Sequence, residues 1–129
     1  MDISKYIGIP YRNKGRTEEG CDCFGLVKLI SKNELNIDIP EYTYRDAEDA
    51  SQASRTLTSG REEWMKVIKP RIGDVIMLRI SGLPVHIGLV IDSRRMIHSL
   101  RGHNSAIELF DCDKWKNRID GFYRYESDK

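Results

Sequence analysis

The chain of 129 residues lacks an excess of either charge: 21 lysines and arginines nearly cancel 20 aspartates and glutamates, leaving a formal net charge of +1. That removes any global electrostatic reason to expect a nucleic-acid partner or an anionic membrane surface. No stretch approaches the roughly 20 consecutive apolar residues of a membrane-spanning helix, so no membrane insertion is expected. Cysteine is scarce and odd in number, three in all. Cys21 and Cys23 stand too close for an easy mutual bridge, so reduced thiols are expected rather than a disulfide framework. There is no internal repeat and no low-complexity tract. The opening residues Met1, Asp2, Ile3, Ser4 and Lys5 lack the charged-then-apolar pattern of a secretion signal. The protein is therefore expected to be made and folded in the cytoplasm, or to leave by a route the sequence does not show. Its length and a hydrophobic content of 40% suit one ordinary core, a single domain over 1–129.

What is present begins with Gly20-Cys21-Asp22-Cys23-Phe24-Gly25-Leu26-Val27. The apolar spacing of Leu26, Val27 and Ile30 predicts a helix over 23–36 packed on the core. Asp22 stands where it can cap that helix, a role worth roughly 0.5–2 kcal/mol. Cys23 then falls at the helix start, where unpaired N–H groups and the positive end of the macrodipole favour the thiolate, the reactive form of cysteine.

Before this point, residues 1–22 read as a short helix or turn and a loop punctuated by Pro10, Gly15 and Gly20. Residues 37–60 read as a loop with a weak helix, and 62–67 as another helical turn or two. From Pro70 the pattern becomes strands: 74–80, 85–91, 96–100, 107–110 and 121–125, with a short helix near 113–118. Helices first and a strand meander afterwards predicts an α+β fold, N-terminal helices packed on a central antiparallel sheet.

Strand geometry tests whether two histidines can meet. Facing residues in an antiparallel hairpin have a constant number sum, and side chains alternate in face. A three-residue loop at Asp92-Ser93-Arg94 pairs Ile91 with Arg95. His86 then lies diagonal to His98 on one face, roughly 5–8 Å away between side-chain bases. A two-residue turn would put them on opposite faces. Ile87, Leu89 and Ile91 are expected to point to the core, with Gly88 leaving space beside His86. A cysteine with one histidine to take its proton and a second polar group to fix that histidine is the arrangement of a thiol hydrolase. The oxyanion would be held by the Cys23 N–H and one side-chain donor. Zinc is the competing reading, but Cys21 and Cys23 have one intervening residue where two to four are usual; neither metal nor cofactor is expected.

Asp22-Cys23-Phe24-Gly25-Leu26-Val27, Gly73-Asp74-Val75, His86-Ile87-Gly88-Leu89-Val90 and Ile97-His98-Ser99 resemble, in order and spacing, the NlpC-type cell-wall cysteine peptidases, which have a papain-like fold. The resemblance runs from about Gly8 to Ser99 and is weakest over 37–66. It implies Cys23 as nucleophile, His86 as base and His98 as the orienting third member, with Tyr11 near the oxyanion site and Asp22 beside it. It implies cleavage of peptidoglycan stem peptides, typically between D-glutamyl and diamino-acid residues. Two departures, Phe24 where serine is frequent and Asn13-Lys14-Gly15 where two glycines are frequent, look more like the phage tail-assembly branch. A virion-tail location and phage tail partners are the corresponding expectations. A tail-assembly or tail-tip structural protein with little activity, and an amidase or acyltransferase on the same scaffold, are the alternatives. His103, Cys112 and the Arg12, Lys14 and Arg16 cluster read as solvated or packing residues.

Overall fold

The computed structural model describes residues 2–41 and 64–125. A single 3-10 turn at Ser4–Tyr6 precedes two short paired strands, β1 (Arg16–Thr17) and β2 (Gly20–Cys21). Helix α1 (Cys23–Leu35) follows at once. Asp22 is extended and its Oδ1 accepts the Gly25 N–H at 2.7 Å, so the first turn is capped by the residue that the sequence marks. Asn36, left-handed at φ 56°, ends the helix.

The remaining strands are β3 (Trp64–Val67), β4 (Val75–Ile80), β5 (Leu83–Val90), β6 (Arg95–His98), β7 (Ala106–Leu109) and β8 (Ile119–Tyr125). They form one six-stranded antiparallel sheet in the order β3-β8-β4-β5-β6-β7. Strands β4 to β7 are a meander; the last strand returns to pair with β4 on its free side.

Both faces of the sheet are covered, because successive side chains alternate. On one face Val75, Met77, Ile87, Leu89 and Ile97 pack with Leu26, Val27 and Ile30 of α1. On the other, Ile76, Leu78, Val90 and Met96 pack with Phe110 and Trp115. Leu26 and Ile30 are fully buried, each contributing about 1.5–3 kcal/mol of apolar burial. The N-terminal segment is tied to the far loop through Ser105. Its Oγ accepts the Ile9 N–H at 2.8 Å and donates to the Tyr6 carbonyl at 2.5 Å.

The α+β expectation holds with one correction: among the described residues there is one α-helix, not several, before the sheet. Residues 2–22 are spent on the 3-10 turn, on loops and on the small hairpin that holds α1's start. Residues 64–67, expected to be helical, form β3, because Trp64 to Val67 pair with Phe122 to Tyr125. No local pattern in four residues reports a partner more than fifty positions away. The expected helix near 113–118 is a 3-10 turn at Lys116–Arg118. Most of the loop and weak helix expected over 37–60 lies outside the described residues.

Candidate functional site

The hairpin of β5 and β6 has the register expected from a three-residue loop. Gly88 faces His98, Leu89 faces Ile97 and Val90 faces Met96, and the Ile91 N–H donates to the Arg95 carbonyl. His86 and His98 therefore lie diagonally on one face, with His86 Nε2 and His98 Nδ1 2.8 Å apart. Gly88 sits between them in register; a Cβ there would stand 3.1 Å from the His98 Cβ. Both rings are buried and held by Trp115, which stacks on His86 with centroids 6.1 Å apart and meets His98 edge-on at 5.5 Å.

Continued by one step, the same register would bring Ser99 opposite Ile87. The chain diverges there instead. Ser99 Oγ donates to the Cys21 carbonyl at 3.1 Å, and the Ile87 backbone lies close enough to the Cys23 sulfur to favour its thiolate. The segment from Cys21 to Cys23 thus wedges into the sheet where β6 stops. Cys23 packs with the α1 face of the core, while His86, paired with Leu78, belongs to the opposite face. The sulfur sits at the boundary of the two faces, beside the backbone of the residue after His86.

Among the described hydrogen bonds, none joins Cys23 directly to His86. Since Nε2 of His86 is engaged with His98, Nδ1 is the ring nitrogen left for the thiol. Burial pushes the Cys23 thiol up to about 12, with the Asp22 carboxylate adding to it. Burial pushes His86 down to about 3, with His98 adding to it. This reverses the expected acidification of Cys23 at the helix start: desolvation of a thiolate outweighs the helix terminus. Both shifts run toward the uncharged forms, a thiol and a neutral imidazole.

Asp22 is fully buried. Besides Gly25, it accepts the Lys14 N–H at 2.8 Å and the Arg16 guanidinium at 3.2 Å. These bonds make it the organiser of the loop before Cys23. Tyr11 is half-buried and bridges Cys21 in parallel fashion, which places it beside the strand leading into Cys23. Cys21 is buried with its sulfur on the Thr17 carbonyl, and burial pushes its thiol up to about 11. His103 is exposed.

One residue escaped the sequence reading. Glu108 on β7 lies diagonal to His98, because His98 faces Ala106 and Met96 faces Glu108. Its Oε2 is 2.5 Å from His98 Nε2. The signal was present in parity: the seven residues between β6 and β7, an odd number, keep 98 and 108 on one face.

The NlpC/P60 family profile matches residues 8–124. The chain is 25% identical over 113 residues to the Murein DD-endopeptidase MepS/Murein LD-carboxypeptidase of Escherichia coli (strain K12), covering 88% of this chain and 54% of that protein. It is 29% identical over 131 residues to the Gamma-DL-glutamyl hydrolase of Bacillus subtilis (strain 168), covering 98% of this chain and 29% of that one. The chain thus spans about half the length of the first and under a third of the second. Among solved structures, an NlpC/P60 family protein from Bacillus cereus ATCC 10987 superposes with a TM-score of 0.67 at 26% identity, over 93% of this chain and 36% of that chain. The NlpC/p60 domain of the peptidoglycan hydrolase SagA shares the fold at a TM-score of 0.64 and 20% identity, over 95% of this chain and 92% of that chain. Nearly the whole chain is matched by the profile and by these folds, and the protein belongs to the NlpC/P60 family.

Proposed function

We propose that this protein is a cysteine peptidase that cuts stem peptides of bacterial peptidoglycan, with Cys23 as nucleophile, His86 as base and His98 as the residue that orients His86. The single observation that carries the reading is the convergence at the end of β6: Ser99 Oγ ties the Cys21 carbonyl, two residues before Cys23, to the β5–β6 hairpin, on which His86 Nε2 and His98 Nδ1 are 2.8 Å apart. The names of the Escherichia coli and Bacillus subtilis relatives support the substrate class.

In this mechanism the Cys23 proton passes to His86 Nδ1 as the sulfur attacks the scissile carbonyl. The tetrahedral oxyanion is met by the Cys23 backbone N–H, which as a first-turn donor has no acceptor within the helix, and by the Tyr11 hydroxyl. Collapse breaks the C–N bond, and the leaving amine takes the proton from His86. Water, deprotonated by His86, then attacks the thioester carbonyl; the C–S bond breaks, His86 returns the proton to the sulfur, and the carboxylic acid leaves and ionises in solvent. Because both partners are neutral at rest, proton transfer accompanies attack rather than preceding it.

Purified peptidoglycan incubated with the protein should release fragments whose masses fit stem-peptide cleavage. Cys23→Ala should abolish that release while leaving the fold intact. Undiminished release from the variant would refute the nucleophile assignment.

The finer reading places the enzyme in a phage or prophage tail that locally opens the wall, on the strength of Phe24 and Asn13-Lys14-Gly15. Mass spectrometry of purified virions tests it; absence of the protein from intact particles would remove it. A second reading, a tail-assembly component with little activity, draws on the raised Cys23 thiol and the absence, among the described hydrogen bonds, of a bond from Cys23 to His86. Full rescue of a null strain by Cys23→Ala would favour it.

A further inference from the structure

Glu108 is engaged on both carboxylate oxygens. Oε2 meets His98 Nε2 at 2.5 Å, and Oε1 is reached by Lys114 Nζ at 3.4 Å and by the Trp115 indole N–H at 3.5 Å. The same Trp115 ring packs against both imidazoles. Beside the pair lies a cavity of about 300 Å³ bordered by His98, His103, Asn104, Glu108 and Lys114. The groups that face the two rings are therefore Glu108, Lys114, His103 and Trp115.

We infer that Glu108 is a positioning residue, whose carboxylate sets the tautomer of His98 and through it that of His86. A carboxylate only accepts hydrogen bonds, so His98 Nε2 must carry the proton it donates. A neutral imidazole has one N–H, which leaves His98 Nδ1 bare. That nitrogen can only accept, so His86 Nε2 must donate to it. His86 Nδ1 is then bare, the form needed to take the Cys23 proton. Each link has one polarity, and the carboxylate at the far end decides it. Burial keeps both rings neutral: it is the largest influence on each and outweighs the opposing pull of Glu108 on His98.

The catalytic consequence rests on the peptidase reading above, but the tautomer assignment does not. Long-range ¹H–¹⁵N spectra of the histidine rings in uniformly labelled protein read the tautomers directly. Wild type should show His86 and His98 both as Nε2–H forms. Two variants without an oxygen acceptor, Glu108→Ala and the near-isosteric Glu108→Met, whose thioether accepts only weakly, should move His98 toward the Nδ1–H form. They should also lower kcat on a stem-peptide substrate by about 10- to 100-fold, as loss of an orienting partner does elsewhere, with KM changed less than twofold. Glu108→Gln keeps a carbonyl that can accept from Nε2–H; it should retain the wild-type tautomers and recover most of kcat. Unchanged ring tautomers in Glu108→Ala and Glu108→Met would overturn the inference. A tautomer shift with kcat intact would overturn its catalytic part. If wild type cuts no stem peptide, the peptidase reading fails while the ring spectra still decide the role of Glu108.

Discussion

Removing the Asp22 carboxylate should damage the protein in two separable ways. Its oxygens accept from the Gly25 N–H at 2.7 Å, the Lys14 N–H at 2.8 Å and the Arg16 guanidinium at 3.2 Å, and the residue has no exposure to solvent. Asp22→Ala loses the helix cap, about 1 kcal/mol. It strands backbone donors beside a buried site, about 1–3 kcal/mol. Arg16 keeps Glu41 and the Gly15 carbonyl, so its own loss is smaller. The total is about 3 kcal/mol, a large part of the roughly 5–15 kcal/mol that stabilises a typical domain. Asp22→Asn retains one acceptor for the Gly25 N–H but turns an amide donor toward the Lys14 N–H; about half the loss is expected. Urea unfolding at pH 7 should order the three proteins wild type, Asn, Ala, with unchanged m values. The second effect is on Cys23, whose thiol is raised partly by the Asp22 charge. Both variants should be alkylated by iodoacetamide at lower pH than wild type. Burial is the larger cause, so the thiol should stay above its ordinary value of 9.0. An Ala variant within 0.5 kcal/mol of wild type, or an alkylation profile that does not move, would refute the reasoning.

Two further outcomes follow from buried polar groups. Ser105→Ala removes both the acceptor for Ile9 and the donor to Tyr6, and should cost about 2 kcal/mol by urea unfolding, with amide exchange near Gly8 and Ile9 accelerated; a loss confined to a few tenths would contradict the strap it forms. Stability should also fall with acid. His86 is pushed from 6.5 to about 3, so between those values the unfolded chain binds more protons than the folded one. Its contribution is complete above pH 6.5 and is lost as pH falls, by about 2 kcal/mol at pH 5. Thermal unfolding at pH 7 and pH 5 measures it. A flat profile in wild type, or an equally steep one in His86→Gln, would exclude His86 as the source.

Much of the site is legible along the chain because it is local. Asp22 precedes the first turn of α1 and caps Gly25, three residues on. The three-residue loop at 92–94 sets the parity of its hairpin, and parity alone brings His86 and His98 to one face. The limits are equally physical. β3 forms only because β8 is there to pair with it, and residues 64–67 carry no periodic pattern long enough to announce a strand. Glu108 is marked by no local motif: it reaches His98 only through the register of β7 against β6.

By itself, then, the order of residues determined the elements that rest on capping, side-chain alternation and a short turn: the helix begun by Asp22, the β5–β6 hairpin and the pairing of its two imidazoles. Only the folded molecule decided the charge state of the site. Helix-end polarity favours a thiolate at Cys23, yet the packing of α1 against the sheet desolvates the sulfur and pushes its thiol up. Desolvation depends on everything that surrounds a group, and most of what surrounds Cys23 and His86 comes from parts of the chain far removed in sequence.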